Sequence, residues 1–110
     1  KSLGIIDETI SPKKIYFHNI LYIERLNRKT IIHMIDKTKI FTNNALKYWY
    51  ELTHDYGFIY THRAFIVNLE HISAINKNEI TLTTDDIIPL SRNYKNSFEI
   101  EYTKFIQEIL

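Results

Sequence analysis

The sequence contains no cysteine. That excludes disulfides, thiolate nucleophiles and metal centres built on sulfur, and it fits a reducing compartment. Glycine and proline are almost as scarce, at two each in 110 residues. Gly4 and Gly57 cannot build a glycine-rich phosphate loop. So few chain breakers in an Ile-rich sequence also exclude a disordered or low-complexity chain. No apolar run approaches the roughly 20 residues that span a bilayer. No secretory leader is expected, since Asp7 and Glu8 follow closely on Lys1. Lys1 stands where an initiator Met would, which implies a piece of a longer chain. Net charge is missing too. A formal +1 is lower than is usual for a nucleic-acid-binding domain.

What is present is an aromatic-rich chain of eight Tyr, six Phe and one Trp, with 45% apolar residues. Its length allows one domain, residues 1–110, with a single core. The charge is unevenly distributed, and that matters more than its sum. Three windows hold no acid. They are "RLNRKTIIH" (25–33) with Arg25, Arg28 and Lys29, "FIYTHRAFIVNL" (58–69) with His62 and Arg63, and "IIPLSRNYKNSF" (87–98) with Arg92 and Lys95. Together they carry +6 and leave −5 for the remainder. If folding gathers them, the result is a near-neutral body with one basic surface.

The chain reads as short strands interrupted by two helices. "KKIYFHNILYIERL" (13–26) holds two strands bent around His18-Asn19, and "KTIIHMID" (29–36) follows after a hairpin turn. "DKTK" turns into a short strand at 40–42. The period then changes. Asn43 or Asn44 offers an N-cap, Ala45, Leu46, Trp49 and Leu52 form an apolar stripe, and Gly57 suits the C′ position, so a helix is expected over about 44–54. Strands resume at 58–60, 64–68, 71–75, 79–84 and 87–91, with tight turns at 77–78 and 85–86. Pro89 cannot donate to a ladder, so the last of them is expected to be an edge or to end there. Phe98, Tyr102, Phe105, Ile106 and Ile109 mark one face of a C-terminal helix over 93–110, and residues 1–12 read as a linker or first strand.

A census of catalytic motifs comes back empty. Asp85-Asp86 is a turn rather than a carboxylate pair, no serine sits in a nucleophile elbow, and the five histidines lack metal-ligand spacing. The expectation is a binding protein, not an enzyme, with no cofactor and no metal. Arg63, Arg92 and the pair Arg28-Lys29 stand at expected strand ends or turns, where a rigid β scaffold carries its binding residues. The guanidinium fork pairs with phosphate or with the O6 and N7 edge of guanine.

The pattern resembles the LytTR family of DNA-binding domains, output domains of bacterial response regulators of two-component systems. "ILYIERLNRKTIIHM" (20–34) is similar to the family's first strand pair. "NNALKYWYELTHDYGFIYTHRAFIVNLEHISAI" (43–75) is similar to its central block, with His-Arg followed by Val-Asn. "IIPLSRNYKNSF" (87–98) is similar to its closing strand, with Pro-apolar-Ser-Arg-x-Tyr. The match covers about residues 13–98. The resemblance implies a mainly β fold, an elongated stack of small, mostly antiparallel sheets. It also implies sequence-specific reading of double-stranded DNA by loops at strand ends, as transcription regulation in the cytoplasm. Carried over, Arg92 is a major-groove contact, Arg63 beside His62 lies at the minor groove, and Arg28 or Lys29 enters the other major groove. Lys95, Tyr94 and Asn96 are expected phosphate contacts, since such groups position a protein without reading bases, and Asn93 is expected among the DNA-binding residues. The family pattern further implies direct-repeat sites bound by two copies, an N-terminal regulatory domain ahead of Lys1, and no membrane.

Two other readings follow from the residues alone. A β-rich protein-interaction or ligand-sensing module would use the aromatic surface and the C-terminal helix. RNA binding would need exposed aromatics on one sheet face, with Tyr16, Tyr22, Tyr48, Tyr50 and Tyr60 as candidates.

Overall fold

Ile, Tyr and Phe fill the strands because their stiff or broad side chains suit a pleated, half-buried surface. The computed structural model describes residues 3–109. β1 (Gly4–Ile6) and β2 (Lys14–Tyr16) form a two-stranded sheet. β3 (Ile20–Leu26), β4 (Lys29–Met34), β5 (Lys39–Thr42), β6 (Phe58–His62) and β7 (Phe65–Asn68) form a five-stranded sheet in the order β5-β4-β3-β7-β6. β8 (Ile72–Ile75), β9 (Glu79–Leu82) and β10 (Ile87–Pro89) form a third sheet in the order β10-β9-β8. Every pairing is antiparallel. The two helices are α1 (Leu46–Thr53) and α2 (Arg92–Ile109). Pro89 does lie on an edge strand.

The five-stranded sheet is covered on both faces, which is why β3 reads as a nearly continuous apolar run. Ile20, Ile23, Ile32, Phe58 and Ile66 pack with Leu46 and Trp49 of α1 and with Ile5 and Ile15 of the small sheet. Leu21, Ile59 and Val67 meet Ile80, Leu82 and Ile88 of the third sheet and Phe98 of α2. A register shift between Ile20 and Tyr22 makes this possible. It turns Leu21 and Tyr22 to one face, so that Ile20 and Ile23 both enter the other. Trp49 is fully buried, and its replacement by Ala would cost about 3–5 kcal/mol.

Several boundaries differ from the sequence reading. α1 starts at Leu46, with Ala45 at the N-cap position and no side-chain cap. Asn43 and Asn44 are occupied elsewhere: Asn43 accepts from Lys29 Nζ, and Asn44 donates to the Thr9 hydroxyl. The buried seam is Leu46, Trp49 and Thr53, while Ala45 and Leu52 are exposed. The helix is rotated toward Tyr50 and Thr53, and the Thr53 hydroxyl is satisfied by the Trp49 carbonyl at 2.8 Å. His71 belongs to a 3-10 turn, Leu69–His71, rather than to a strand.

α2 begins one residue earlier than expected, at Arg92, and Leu110 lies outside the described residues. Its face holds Phe98 fully and Tyr102, Phe105 and Ile106 partly, but Ile109 is exposed. The helix runs antiparallel to β6. Ser91 bonds to Thr61 at one end, and Phe105 sits against Gly57 at the other, 3.1 Å from where a Cβ would stand. Gly57 is left-handed, with φ of +88°, as a residue closing the 3-10 turn after α1 requires.

Candidate nucleic-acid interface

Each basic window folds into a short connection whose conformation follows from its residues. β3 and β4 are joined by Asn27 and Arg28, with φ of +51° and +68°. Two positive φ values make the primed turn that matches strand twist. Asn tolerates this conformation. Arg28 does so at a cost of about 1 kcal/mol, and its side chain is exposed. Lys29 Nζ donates to Asn43 Oδ1 at 3.0 Å, and Arg25 Nη1 donates to Thr30 Oγ1 at 2.9 Å.

The second window forms the tight turn between β6 and β7. Thr61 is fully buried, His62 half-buried and Arg63 exposed. His62 Nδ1 accepts the Ala64 backbone N–H at 3.0 Å, so the neutral ring carries its proton on Nε2. The ring also stands edge-on to Phe65. The Arg25 N–H donates to the Ala64 carbonyl at 2.9 Å, which sets this turn beside the first hairpin. Two strand intervals, about 10 Å, separate the two hairpins.

The third window arrives from the other sheet. Leu90 N–H donates to the Asn78 carbonyl and Ser91 N–H to the Thr61 carbonyl, both at 2.8 Å. Arg92 therefore opens α2 next to His62-Arg63, instead of ending a strand. Arg92 and Asn93 are exposed, Lys95 is half-buried, and Tyr94 leans inward with its ring 6.0 Å from that of Tyr60. Burial pushes the Tyr60 phenol above its ordinary range, with Tyr94, Tyr50 and Glu51 adding to the effect. The first turn of α2 contains no acid. Cations at a helix N-terminus oppose the helix dipole, so Arg92 and Lys95 concentrate positive potential where free N–H groups already attract anions.

The fold thus gathers Arg28, Lys29, His62, Arg63, Arg92, Asn93 and Lys95 at one end of the five-stranded sheet. Lys77 joins them, because the 77–78 turn is tied to Leu90. The sequence marked that turn only as a connection, and nothing local could have placed it here. Among the described residues, Arg28, Arg63, Lys77, Arg92 and Lys95 form no ion pair. The carboxylate closest to this end on β3, Glu24, is taken by His33 Nε2 at 2.5 Å. One group of side chains suited to a metal ion, His18, Glu70 and His71, lies at the opposite end of the sheet. No helix among the described residues is long and apolar enough to cross a membrane.

The sequence model of the LytTr DNA-binding domain matches residues 12–101, which include all three windows. The chain belongs to the LytTR family of DNA-binding domains. Its fold is similar to a solved LytTr DNA-binding domain, from a Bacillus cereus protein described as a methyl-accepting/DNA response regulator. The TM-score is 0.77 at 22% identity, over 92% of this chain and 97% of that one. No curated protein matches the sequence. A DNA-binding family and a cationic end without ion pairs among the described residues agree in sign.

Proposed function

We propose that this LytTR domain is the output half of a bacterial response regulator, reading duplex DNA in the cytoplasm to control transcription. The gathering of three acid-free windows at one end of a rigid sheet carries this reading. The description of the Bacillus cereus neighbour as part of a DNA response regulator supports it. Arg92 pairs with a base in one major groove, Arg28 or Lys29 enters the next, and Arg63 lies in the minor groove between them. A minor-groove Arg favours narrow, A·T-rich sequence. His62 offers Nε2–H to the same region. Asn93, Tyr94 and Lys95 hold phosphates at the α2 N-terminus. Two copies occupy direct repeats, and a regulatory domain precedes Lys1.

The RNA reading fares worse. Both faces of the five-stranded sheet are covered, Tyr22 stacks on His33, and Tyr50 packs on Tyr60. Phe41 is the large aromatic left exposed on its described strands, and Tyr16 and Tyr48 are exposed off it, on β2 and α1, which makes no broad platform for unstacked bases.

Selection from a randomised duplex library tests the proposal. Recovery of one motif, repeated at about one helical turn, is the expected result. Recovery at background level, with binding insensitive to salt, would refute it.

A further inference from the structure

His18 and His71 lie 53 positions apart, yet His71 Nε2 meets the His18 carbonyl at 2.6 Å. Glu70 Oε2 meets His18 Nδ1 at 2.5 Å. A donor atom from each of these three side chains lies within 4.8 Å of the other two. Both histidines sit on 3-10 turns, Phe17–Asn19 and Leu69–His71. One buried side chain fixes both turns. Asn68 donates to the Phe17 and Ile20 carbonyls and accepts the Glu70 N–H.

We propose that His18, Glu70 and His71 form a binding site for a zinc-type divalent transition metal. The carbonyl of His18 can only accept, so His71 spends its Nε2 proton there and keeps a lone pair on Nδ1. A metal-binding histidine is commonly prepared in this way, with its second nitrogen donating to a backbone carbonyl. His18 donates its Nδ1–H to the Glu70 carboxylate, and a bound cation would stand in place of that proton. Two imidazoles and one carboxylate suit zinc, nickel or copper rather than magnesium or calcium, which prefer oxygen alone. Three protein ligands leave a fourth position for water.

The required movement is small and falls on the mobile partners. Ligand bonds of about 2.0–2.2 Å place donors roughly 3.3 Å apart. His71 is buried and held, whereas the His18 and Glu70 side chains are 65% and 45% exposed and free to adjust. They open onto a groove also lined by His54, Asp55, Glu101, Lys104 and Glu108, in which Lys104 pairs with Glu101 and three carboxylates outnumber one ammonium. The seven residues of β3 set this site about 20 Å from the basic end. The metal acts as a clamp between two turns distant in sequence, and its effect is on stability. The inference stands or falls apart from the DNA reading.

The test is thermal unfolding of the tag-free chain during titration with zinc chloride, with cobalt chloride as a spectroscopic probe. The expected result is a Tm that rises with zinc concentration, as for any ligand bound only by the folded state, and visible cobalt absorption of a four-coordinate site. His18→Ala and Glu70→Gln, both at exposed positions, should each weaken apparent zinc affinity about tenfold or more. A Tm unmoved by zinc would overturn the proposal. So would a rise that persists in the His18→Ala, Glu70→Gln double variant, or an equal rise with magnesium.

Discussion

The backbone N–H of Ser91 donates to the carbonyl of Thr61 at 2.8 Å. That single bond sets the N-terminus of α2 against the end of β6, and so places Arg92 beside His62 and Arg63. Two windows thirty residues apart become one surface through it. The contact of Arg25 with Ala64 adds the third.

Arg92 and Lys95 share a helical turn but should behave differently. Arg92→Ala is expected to cost about 1–3 kcal/mol and relax preference at one base pair. Lys95→Ala should weaken all duplexes about equally and reduce the salt slope by about 1. Affinities for the selected site and its single-base variants, at several salt concentrations, check both. An Arg92→Ala protein with unchanged site preference would contradict the assignment.

Arg28 holds a left-handed conformation that glycine adopts freely. Arg28→Gly should therefore leave stability unchanged or raise it by up to about 0.5 kcal/mol once the added flexibility of the unfolded chain is counted. The same variant should bind DNA more weakly. Urea unfolding and duplex titration together measure this opposition. A variant that loses stability would show that the turn is not strained.

Thr61 Oγ1 is buried without a hydrogen-bond partner among the described residues. Valine has nearly the same shape and no polar atom. Thr61→Val should leave stability unchanged or raise it by about 1 kcal/mol, read from the urea midpoint. A loss above 1 kcal/mol would mean that the hydroxyl is satisfied in solution.

Asp7 ties the N-terminal strand pair to α1 through hydrogen bonds from Thr9 and from the Tyr48 hydroxyl. Burial works against its ionised form, but those hydrogen bonds outweigh it and hold the carboxyl below its ordinary value. A depressed folded pKa gives stability that is complete above the unfolded value near 3.9 and is lost as pH falls through the folded value. Asp7→Asn should thus cost about 1 kcal/mol at neutral pH, with the difference closing below about pH 4. Parallel unfolding curves for the two proteins down to pH 2 decide it.

The strands were legible because Ile, Tyr and Phe cluster between turn residues, and the turns because Asn27, Asp85 and Gly57 suit positive φ. α1 was legible in place but not in rotation. Its stripe looked complete with Leu52, whereas Thr53 is buried through a bond to its own helix that no pattern of apolar residues announces. The start of α2 was hidden by "PLSR", which reads equally as a strand end. Arg28, Arg63 and Arg92 were visible as residues at connections, but their convergence depends on strand order, and so does the recruitment of Lys77. His18, Glu70 and His71 were unreadable as a group, since a spacing of more than fifty residues carries no ligand signature.

The most direct measurement is an amide-resolved NMR titration of the domain with its selected duplex. The largest shifts should fall at residues 27–29, 62–64 and 92–95, with Lys77 at their margin, while residues 17–19 and 69–71 at the far end stay unmoved. Shifts centred on that far end, or on β8 and β9 with the three basic connections silent, would contradict the proposed interface.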